Sequence, residues 1–297
     1  MYIPKLRSVI AGEPSASTYF PATPAERYLK FNYSAKRATT APKSEDLSGQ
    51  TVAAADNSAW GAVHKEYHRR FARQAKLFGY QDVLMVDIKT GDVVSNVSGE
   101  DDLGTNFLSG PYSDSVAAGI FRQVRSSRDP FFRIFSDFEN YKPSLGAPTF
   151  FVGTNVFADG KLVGALIFQI STQRIDTLMT SSRQWREVGM GSSGEAYLVG
   201  SDGTFRSSPR PFLEDPKRYL AIAKRNGLSQ AKVDAIQRSG TPVLIQPVRT
   251  LGARSALAGK TGTDSYTDYR GVPIVASYQP IQFGPFRLGL LAKIDQG

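Results

Sequence analysis

Apolar positions recur at helical spacing most clearly across residues 56–80. Those that return every three or four residues are Trp60, Val63, Tyr67, Phe71, Ala75 and Phe78. This spacing predicts a long helix with one apolar stripe, capped by Asp56 or Ser58 and ended by Gly79. An earlier helix is predicted from Pro24. A lone helix cannot bury such a stripe, so we expect the long helix to pack on the rest of the chain or on a second subunit.

Strand-like segments follow, and they occur twice. "VLMVDIKTGDVVSN" and "AYLVGSDGTFRSSP" each hold an apolar strand, a turn containing Gly91 or Gly203, and a second strand. Further along, "GAPTFFVGTNVFADGKLVGALIFQI" and "GVPIVASYQPIQFGPFRLGLLAKID" each place a glycine 18 residues after the first, from Gly146 and from Gly271. Two pairs of segments in the same order predict an internal duplication.

Each copy combines paired strands with helical middle segments, predicted at residues 113–126 in copy one and as two helices broken at Gly227 in copy two. Hairpin links favour antiparallel sheets with helices packed on their faces. The predicted fold class is therefore α+β, with a long N-terminal helix followed by two tandem lobes. The expected divisions are a helical region over 1–80, a first lobe over 81–187 and a second lobe over 188–297.

Composition narrows the class of protein. With 297 residues, 41% apolar and 21% charged, the chain can bury a core, and the absence of cysteine excludes disulfides and thiolate metal sites. No apolar run approaches the ~20 residues of a membrane span, and no signal-peptide pattern follows Met1. We expect a soluble chain, or a piece of a membrane protein whose flanking membrane segments lie outside this chain.

The net charge of +9 is uneven. Residues 1–80 carry 12 Lys/Arg and 6 Asp/Glu, residues 81–187 carry 10 and 13, and residues 188–297 carry 14 and 8. Because the basic residues are dispersed and not gathered into one patch, nucleic-acid binding is not expected. Two interpretations stay open, which are attraction to an anionic membrane surface and ordinary solvated faces.

Two motifs suggest an acyl-transfer enzyme. Lys-Thr-Gly occurs at residues 89–91 and again at 260–262, and Ser229 and Lys232 fit S-x-x-K. However, no S-x-N lies between the last two elements, and copy two has Ser-Asp-Gly where copy one has Lys89-Thr90-Gly91. We therefore predict turns and no enzyme activity. A serine enzyme would be labelled by a β-lactam at Ser229.

Other chemistry is weakly represented. His64 and His68 are the only histidines, and their i, i+4 spacing could hold a metal ion only with a third ligand from elsewhere. The G-x-G-x-x-G at residues 189–194 precedes a strand and does not open a helix, which indicates a link between the copies. Structural roles explain both features more simply, and no cofactor or metal is expected.

The densest polar and aromatic cluster is "FFRIFSDFENYKPS" in copy one, which contains Arg133, Ser136, Asp137 and Tyr141. An arginine, a carboxylate and a tyrosine hydroxyl beside apolar walls are typical of a pocket for a small polar ligand. Copy two lacks such an aromatic wall. The alternative is a salt bridge and a tyrosine in an ordinary loop.

Five stretches in order, together with "WGAVHKEYHRRF", carry a family resemblance: "VLMVDIKTGDVVSN", "DDLGTNFLSGPYSDS", "SDFENYKPSLGAPTFF", "GSSGEAYLVGSDGTFRSSPR" and "DYRGVPIVASYQPI". From about residue 24 to 295 the chain resembles the double Cache sensor domain of bacterial transmembrane receptors. It is similar in particular to the subgroup found before adenylate or guanylate cyclase and chemoreceptor modules. The resemblance implies two PAS-like lobes outside the cytoplasmic membrane, periplasmic or extracellular, with the first lobe distal to it.

The resemblance also implies a ligand site in the distal lobe, and the residues expected there are Tyr112, Arg133, Phe135, Ser136, Asp137, Tyr141, Thr154 and Gln169. Amino-acid-binding members carry R-x-W-Y and an aspartate on the last distal strand. Here residues 133–136 keep only Arg133, and Gln169 stands near the place of the aspartate. A standard α-amino acid is therefore not the expected ligand.

Two hypotheses for function follow. In the first, the distal lobe binds a small polar organic molecule and passes a conformational signal to a cytoplasmic output module. In the second, the lobes bind no small molecule and sense protein contact or the geometry of a homodimer formed through the N-terminal helix.

Overall fold

The computed structural model describes Tyr19, residues 21–34 and residues 58–296. Contacts divide the chain into two units, with the division between Ser171 and Thr172. The first unit includes the N-terminal helical region, which the sequence analysis set apart as 1–80, and the predicted lobe division at 187/188 falls inside the second unit. The alternative cap predicted at Asp56 lies outside the described residues.

The helices of the first unit are α1 (Pro24–Leu29), which continues as a helical turn over Lys30–Ser34, α2 (Ala59–Phe78) and α3 (Val116–Ser126). The Ser58 side chain accepts a hydrogen bond from the amide of Gly61 and so caps α2. Gly79 ends α2 with a φ of 72°, a conformation in which a side chain would be strained. Both signals were predicted from the sequence.

The strands of the first unit are β1 (Asp82–Asp87), β2 (Val93–Asn96), β3 (Arg133–Phe135), β4 (Glu139–Tyr141), β5 (Ala147–Ala158) and β6 (Lys161–Ser171). They form one antiparallel sheet in the order β2-β1-β6-β5-β3, and β4 also pairs with β5. The short loop at Lys89–Gly91 joins β1 to β2. The first Lys-Thr-Gly is therefore a hairpin turn, as predicted.

The sheet of the first unit buries apolar side chains on both faces. One face packs on α3, where Phe107, Ile120, Phe121 and Phe151 join a single core cluster. The other face packs on α2 through a cluster that includes Ala72, Ala75, Val83 and Val97. The first unit is thus a sheet between two helices, and its largest core lies on the α3 side.

The predicted stripe of α2 is only partly correct. Val63, Tyr67 and Phe78 are 58%, 42% and 55% exposed, whereas the buried positions are Gly61, His64, Ala72 and Ala75. Small residues at 72 and 75 let the helix approach the sheet closely, which places the larger apolar side chains on the opposite face.

Within the described residues, no helix is both long and apolar enough to cross a membrane.

The second unit contains helices α4 (Thr172–Met179), α5 (Arg210–Glu214), α6 (Pro216–Arg225), α7 (Gln230–Ser239) and α8 (Leu251–Leu257). Its strands are β7 (Glu195–Val199), β8 (Gly262–Thr267), β9 (Pro273–Phe283) and β10 (Phe286–Asp295). They form an antiparallel sheet in the order β7-β10-β9-β8. The predicted break at Gly227 separates α6 from α7.

The two sheets share one strand order, because β7, β10, β9 and β8 stand where β1, β6, β5 and β3 stand in the first unit. The predicted class, α+β with a long N-terminal helix and two antiparallel lobes, is confirmed. One detail differs. The strand that was expected to follow β7 and complete a hairpin with it does not form. Only isolated bridges occur there, between Val199 and Phe205 and between Thr204 and Pro247.

Candidate functional site

Two of the predicted site residues, Arg133 and Tyr141, lie at different places along the sheet. Arg133 is exposed and pairs with Thr154 across β3 and β5, whereas Tyr141 pairs with Ala147 on the same β5 strand. Seven residues of a strand span about 23 Å. The structure therefore does not bring the guanidinium of Arg133 and the hydroxyl of Tyr141 together, as the cluster in the sequence had indicated.

Several of the other predicted residues serve the fold directly. Thr154 donates its hydroxyl to the carbonyl of Phe132 at 2.8 Å. Asp137 accepts from the neighbouring amide of Phe138 at 2.7 Å. Phe135 pairs with Val152 at the sheet edge. Tyr112 is fully buried in the core against α3.

A polar row crosses the sheet at one end of this core. Gln169 on β6 is directly opposite Phe151 on β5 and Asp82 on β1. Ser136 continues the row, because its amide donates to the Phe151 carbonyl and its hydroxyl accepts from the Phe151 amide. Residues directly opposite in antiparallel strands share a face and have Cβ atoms about 5 Å apart. Asp82 and Gln169 are therefore neighbours on the core face.

Asp82 begins a network of buried carboxyl groups. Its Oδ1 accepts from the amides of Val97 and Ser98 at 2.7 and 2.9 Å, and its Oδ2 accepts from the Ser98 hydroxyl. The strand that starts at Asp82 is thereby tied to the segment that follows β2. An exposed carboxylate needs no such set of donors, so these bonds offset the cost of burying this one.

Asp102 is the second buried acid. Its Oδ1 accepts from the amide group of Asn96 at 2.6 Å, and its Oδ2 accepts from the Tyr141 hydroxyl at 2.6 Å. Nearby, the ammonium of Lys30 donates to the carbonyl of Asp101 at 2.7 Å. The partly buried lysine is thus bonded to a neutral acceptor and is not paired directly with Asp102.

Glu100 is the third acid, and it links the network to Gln169. The Ser144 hydroxyl donates to Glu100 at 2.5 Å and accepts from the amide group of Gln169 at 2.7 Å. Gln81 also donates to Glu100, at 3.2 Å. Gln169 is 0% exposed, yet its Oε1 has no hydrogen-bond donor among the described residues. This buried oxygen lies at the end of a chain of bonds that leads to the carboxyl of Glu100.

Burial and mutual repulsion change the ionisation of these acids. Burial, reinforced by the charges of Asp82 and Asp102, raises the pKa of Glu100 to about 8. Burial and the charge of Asp82 raise the pKa of Asp102 to about 7. Burial also raises the pKa of Asp82. Part of the Glu100 residue is accessible although its carboxyl is surrounded by protein, so this acid is where the network approaches solvent.

The second unit has a buried network of a different kind. Lys293 lies between Glu195 and Asp268 at 2.9 and 2.8 Å, and Arg270 binds Asp268 at 2.7 Å. Burial alone would raise the pKa of Asp268, but Lys293 and Arg270 lower it overall. In the second unit buried cations balance the acids, which is the arrangement expected of a structural ion-pair cluster.

The two histidines lie on α2, and the serine–lysine motif and the second Lys-Thr-Gly lie in the second unit. The rings of His64 and His68 lie 4.4 Å apart, and His64 stacks on Trp60. No group of three or more acidic, histidine or cysteine side chains in the described ranges could hold a metal ion. Ser229 is the exposed residue before α7, and Lys260 precedes β8.

No family model and no curated protein matches the sequence, whereas several solved structures are similar to the fold. The fold is similar to the ligand-binding domain of the Pseudomonas fluorescens chemoreceptor CtaA in complex with L-leucine, with a TM-score of 0.41 and 12% identity over 75% of this chain and 74% of that one.

Two further solved structures are similar. One is the ligand-binding domain of the Pseudomonas aeruginosa PAO1 amino-acid chemoreceptor PctC with GABA, with a TM-score of 0.42 and 13% identity over 75% of this chain and 80% of that one. The other is the extracellular domain of a candidate histidine kinase, rpHK1S-Z16, with a TM-score of 0.46 and 15% identity over 77% of each chain. The first two are ligand-binding domains of chemoreceptors, and the third is the extracellular domain of a candidate histidine kinase.

Tyr141 and Gln169, which the sequence indicated as candidate site residues, bond into the carboxyl network. The sequence did not indicate Asp82, Glu100 and Asp102. One signal was available for Asp82, because a carboxylate at the start of a fully apolar strand is unusual unless it is bonded. For Glu100 and Asp102 there was none, since "GEDD" in a loop also fits a solvated surface.

Proposed function

We propose that this chain is an extracytoplasmic ligand-sensing domain of a bacterial transmembrane receptor. Its first unit would bind a small polar molecule, and the bound state would pass a conformational signal to a cytoplasmic output module. The single observation that carries the proposal is the buried carboxyl network of Asp82, Glu100 and Asp102. Such a group is costly for stability, which favours a role beyond the fold.

The chemistry of the network indicates what the ligand presents. The network offers three carboxyl groups, and the carbonyl oxygen of Gln169 still lacks a donor. A ligand that carries a protonated amine would supply donors to both and would offset the repulsion among the acids. The charge-balanced cluster of the second unit offers no such opportunity, so we assign the ligand to the first unit.

Binding would then change the packing at this end of the core. Asp82 is tied to the segment after β2, and Glu100 and Asp102 lie in the loop that follows it. An amine that draws these groups together would favour one arrangement of that loop. Differential affinity for two arrangements is what a sensor requires.

A thermal-shift and calorimetric screen of amines, organic acids and sugars tests the proposal on the intact chain. We expect saturable binding by an amine class, lost in Glu100→Gln and in Gln169→Leu. Asp234→Asn, a surface carboxylate of the second unit, is the matched control and should bind as the wild type does. A ligand at about 100 times its Kd adds about 2.7 kcal/mol to stability. Undiminished affinity in folded Glu100→Gln and Gln169→Leu would refute the site.

One observation favours the second hypothesis, contact sensing through a homodimer. Val63, Tyr67, Leu77 and Phe78 are all at least 42% exposed and fall within about 100° of the circumference of α2. Analytical ultracentrifugation of the wild type and of Val63→Lys/Leu77→Lys tests this. A dimer that the paired substitution abolishes, with no small molecule bound by the wild type, would favour contact sensing over ligand binding.

A further inference from the structure

The end of the first sheet away from the carboxyl network holds a basic depression, here called the basic groove. It has a volume of about 560 Å³ and lies where β1 ends, where β5 turns into β6, and where α3 ends. Its lining residues are Ile88, Lys89, Arg125, Arg128, Phe157, Gly160, Lys161 and Leu162. None of these belongs to the network of Asp82, Glu100 and Asp102.

Four of the eight lining residues are cationic, and none is acidic. No ion pair within 4.0 Å is formed by Lys89, Arg125, Arg128 or Lys161 with any carboxylate in the described part of the chain. Four cations around one depression repel one another, and an anion placed among them would relieve that repulsion.

No acidic residue lines the groove, and the carboxylate of Asp87 accepts hydrogen bonds from its own turn. Asp87 accepts from the amides of Lys89 and Thr90 at 2.9 and 2.7 Å, so its Oδ1 is engaged with its own turn. Those bonds, together with the nearby charge of Lys89, outweigh its burial and lower the pKa of Asp87. Asp159 lies in the β5–β6 turn before Gly160 and is exposed. The charge that faces the groove therefore remains positive.

Backbone carbonyl groups hold the side chains of the two groove arginines in place. Arg125 donates from Nη2 to the carbonyl of Lys89 at 3.3 Å, which ties the end of α3 to the β1–β2 turn. Arg128 donates from Nη1 to the carbonyls of Arg125 and Ser127 at 3.0 and 3.2 Å. Each guanidinium has five N–H donors, so both keep donors for a ligand. Arginine held in this way suits phosphate and carboxylate groups.

Apolar groups complete the lining. Ile88, Phe157 and Leu162 are half-buried and line the same depression as the four cations. A bare inorganic ion would gain nothing from them, whereas an organic ring or chain would be removed from water against them. A concave site of this size also suits a small molecule better than the flat surface of a bilayer.

We propose that the basic groove is a second ligand site, which binds a small organic anion that carries a phosphate or carboxylate group on an apolar or aromatic body. The site is independent of the amine site proposed above. It joins the β1–β2 turn, the β5–β6 turn and the end of α3, three segments that are not otherwise continuous in the chain.

Isothermal titration of the intact chain with 1-naphthyl phosphate and with inorganic phosphate tests the proposal at low ionic strength. We expect both to bind, with 1-naphthyl phosphate at least about fivefold tighter because only it contacts the apolar lining. Lys89→Gln/Lys161→Gln should weaken 1-naphthyl phosphate at least about fivefold. These two ammonium groups make no hydrogen bond in the described part of the chain, so the fold should be preserved, and the melting temperature checks this.

The matched control is Arg69→Gln/Arg73→Gln, which removes the same charge from exposed positions on α2. An equal loss of affinity in both double variants would show general charge attraction and overturn the proposal. Absence of binding by either phosphate would overturn it too. Binding to phosphatidylserine vesicles without binding to either soluble phosphate would mean a lipid surface and not a small-molecule site.

Discussion

At the scale of single residues, two buried tyrosines provide a direct test of the carboxyl network. The Tyr141 hydroxyl donates to Asp102, whereas the equally buried Tyr197 hydroxyl has no partner among the described residues. We expect Tyr141→Phe to cost about 1–3 kcal/mol, because it leaves a buried carboxylate oxygen without its donor. Tyr197→Phe should be neutral or slightly stabilising. Urea unfolding of both variants measures the difference, and equal effects would contradict the assigned role of Tyr141.

Single residues of the site differ in how far the sequence could predict them. Gln169 was predicted on the last strand of the lobe, and the structure places it on β6. Its role in ligand binding stays a prediction. Glu100 was missed because its importance depends on a contact with Ser144, which is 44 residues away. Arg133 and Tyr141 are close in sequence, but β3 and β4 pair with opposite halves of β5 and separate them.

At the scale of elements, the contact between α3 and β5 decides the packing of the first unit. A Cβ added at Gly153 on β5 would lie 2.3 Å from Ile120 Cγ2 and 3.1 Å from Val124 Cγ2, both on α3. We expect Gly153→Ala to destabilise the chain by about 1–3 kcal/mol through this overlap. Chemical denaturation measures the cost.

Gly119→Ala is the matched control for this prediction. Gly119 lies inside α3, and its added Cβ would meet only the Arg122 side chain, at 4.0 Å. Alanine is a better helix former than glycine, so this variant should gain up to about 1 kcal/mol. A loss in Gly119→Ala, or no loss in Gly153→Ala, would show that the close approach of α3 to β5 is described wrongly.

Elements were predicted well where two independent signals agreed. The long hairpins of both lobes follow from apolar strands and from glycines 18 residues apart in each copy, and both form. The exposed face of α2 could not be predicted, because spacing identifies a stripe but not which neighbour covers it. Ala72 and Ala75 decide that question through their small size, and their contacts with Val83 and Val97 exist only in the folded chain.

At the scale of the whole molecule, the carboxyl network of the first unit and the ion-pair cluster of the second unit should respond to pH in opposite directions. Glu100 and Asp102 have folded-state pKa values of about 8 and about 7, above their ordinary values of 4.5 and 3.8. Their stabilising contribution is therefore complete below their ordinary pKa values and is lost progressively as pH rises from there to about 7 and about 8. Lys293 and Arg270 hold the pKa of Asp268 below 3.8, so its contribution is present above that value and is lost on acidification.

Differential scanning calorimetry between pH 3 and pH 9 measures this contrast. We expect the melting temperature to fall by at least about 3 °C from pH 5 to pH 8.5, and to fall again below pH 4. Glu100→Gln should flatten the alkaline fall alone, and Asp268→Asn should flatten the acid fall alone. Asp87 and Asp202 also have lowered pKa values and add to the acid fall, so Asp268→Asn reduces it without abolishing it. Asp102 and Asp82 keep part of the alkaline fall in Glu100→Gln. A fall that neither Glu100→Gln nor Asp102→Asn reduces would place its origin outside the carboxyl network. An amine that binds there should reduce the alkaline fall, because a bound cation favours the ionised acids and lowers their folded-state pKa values.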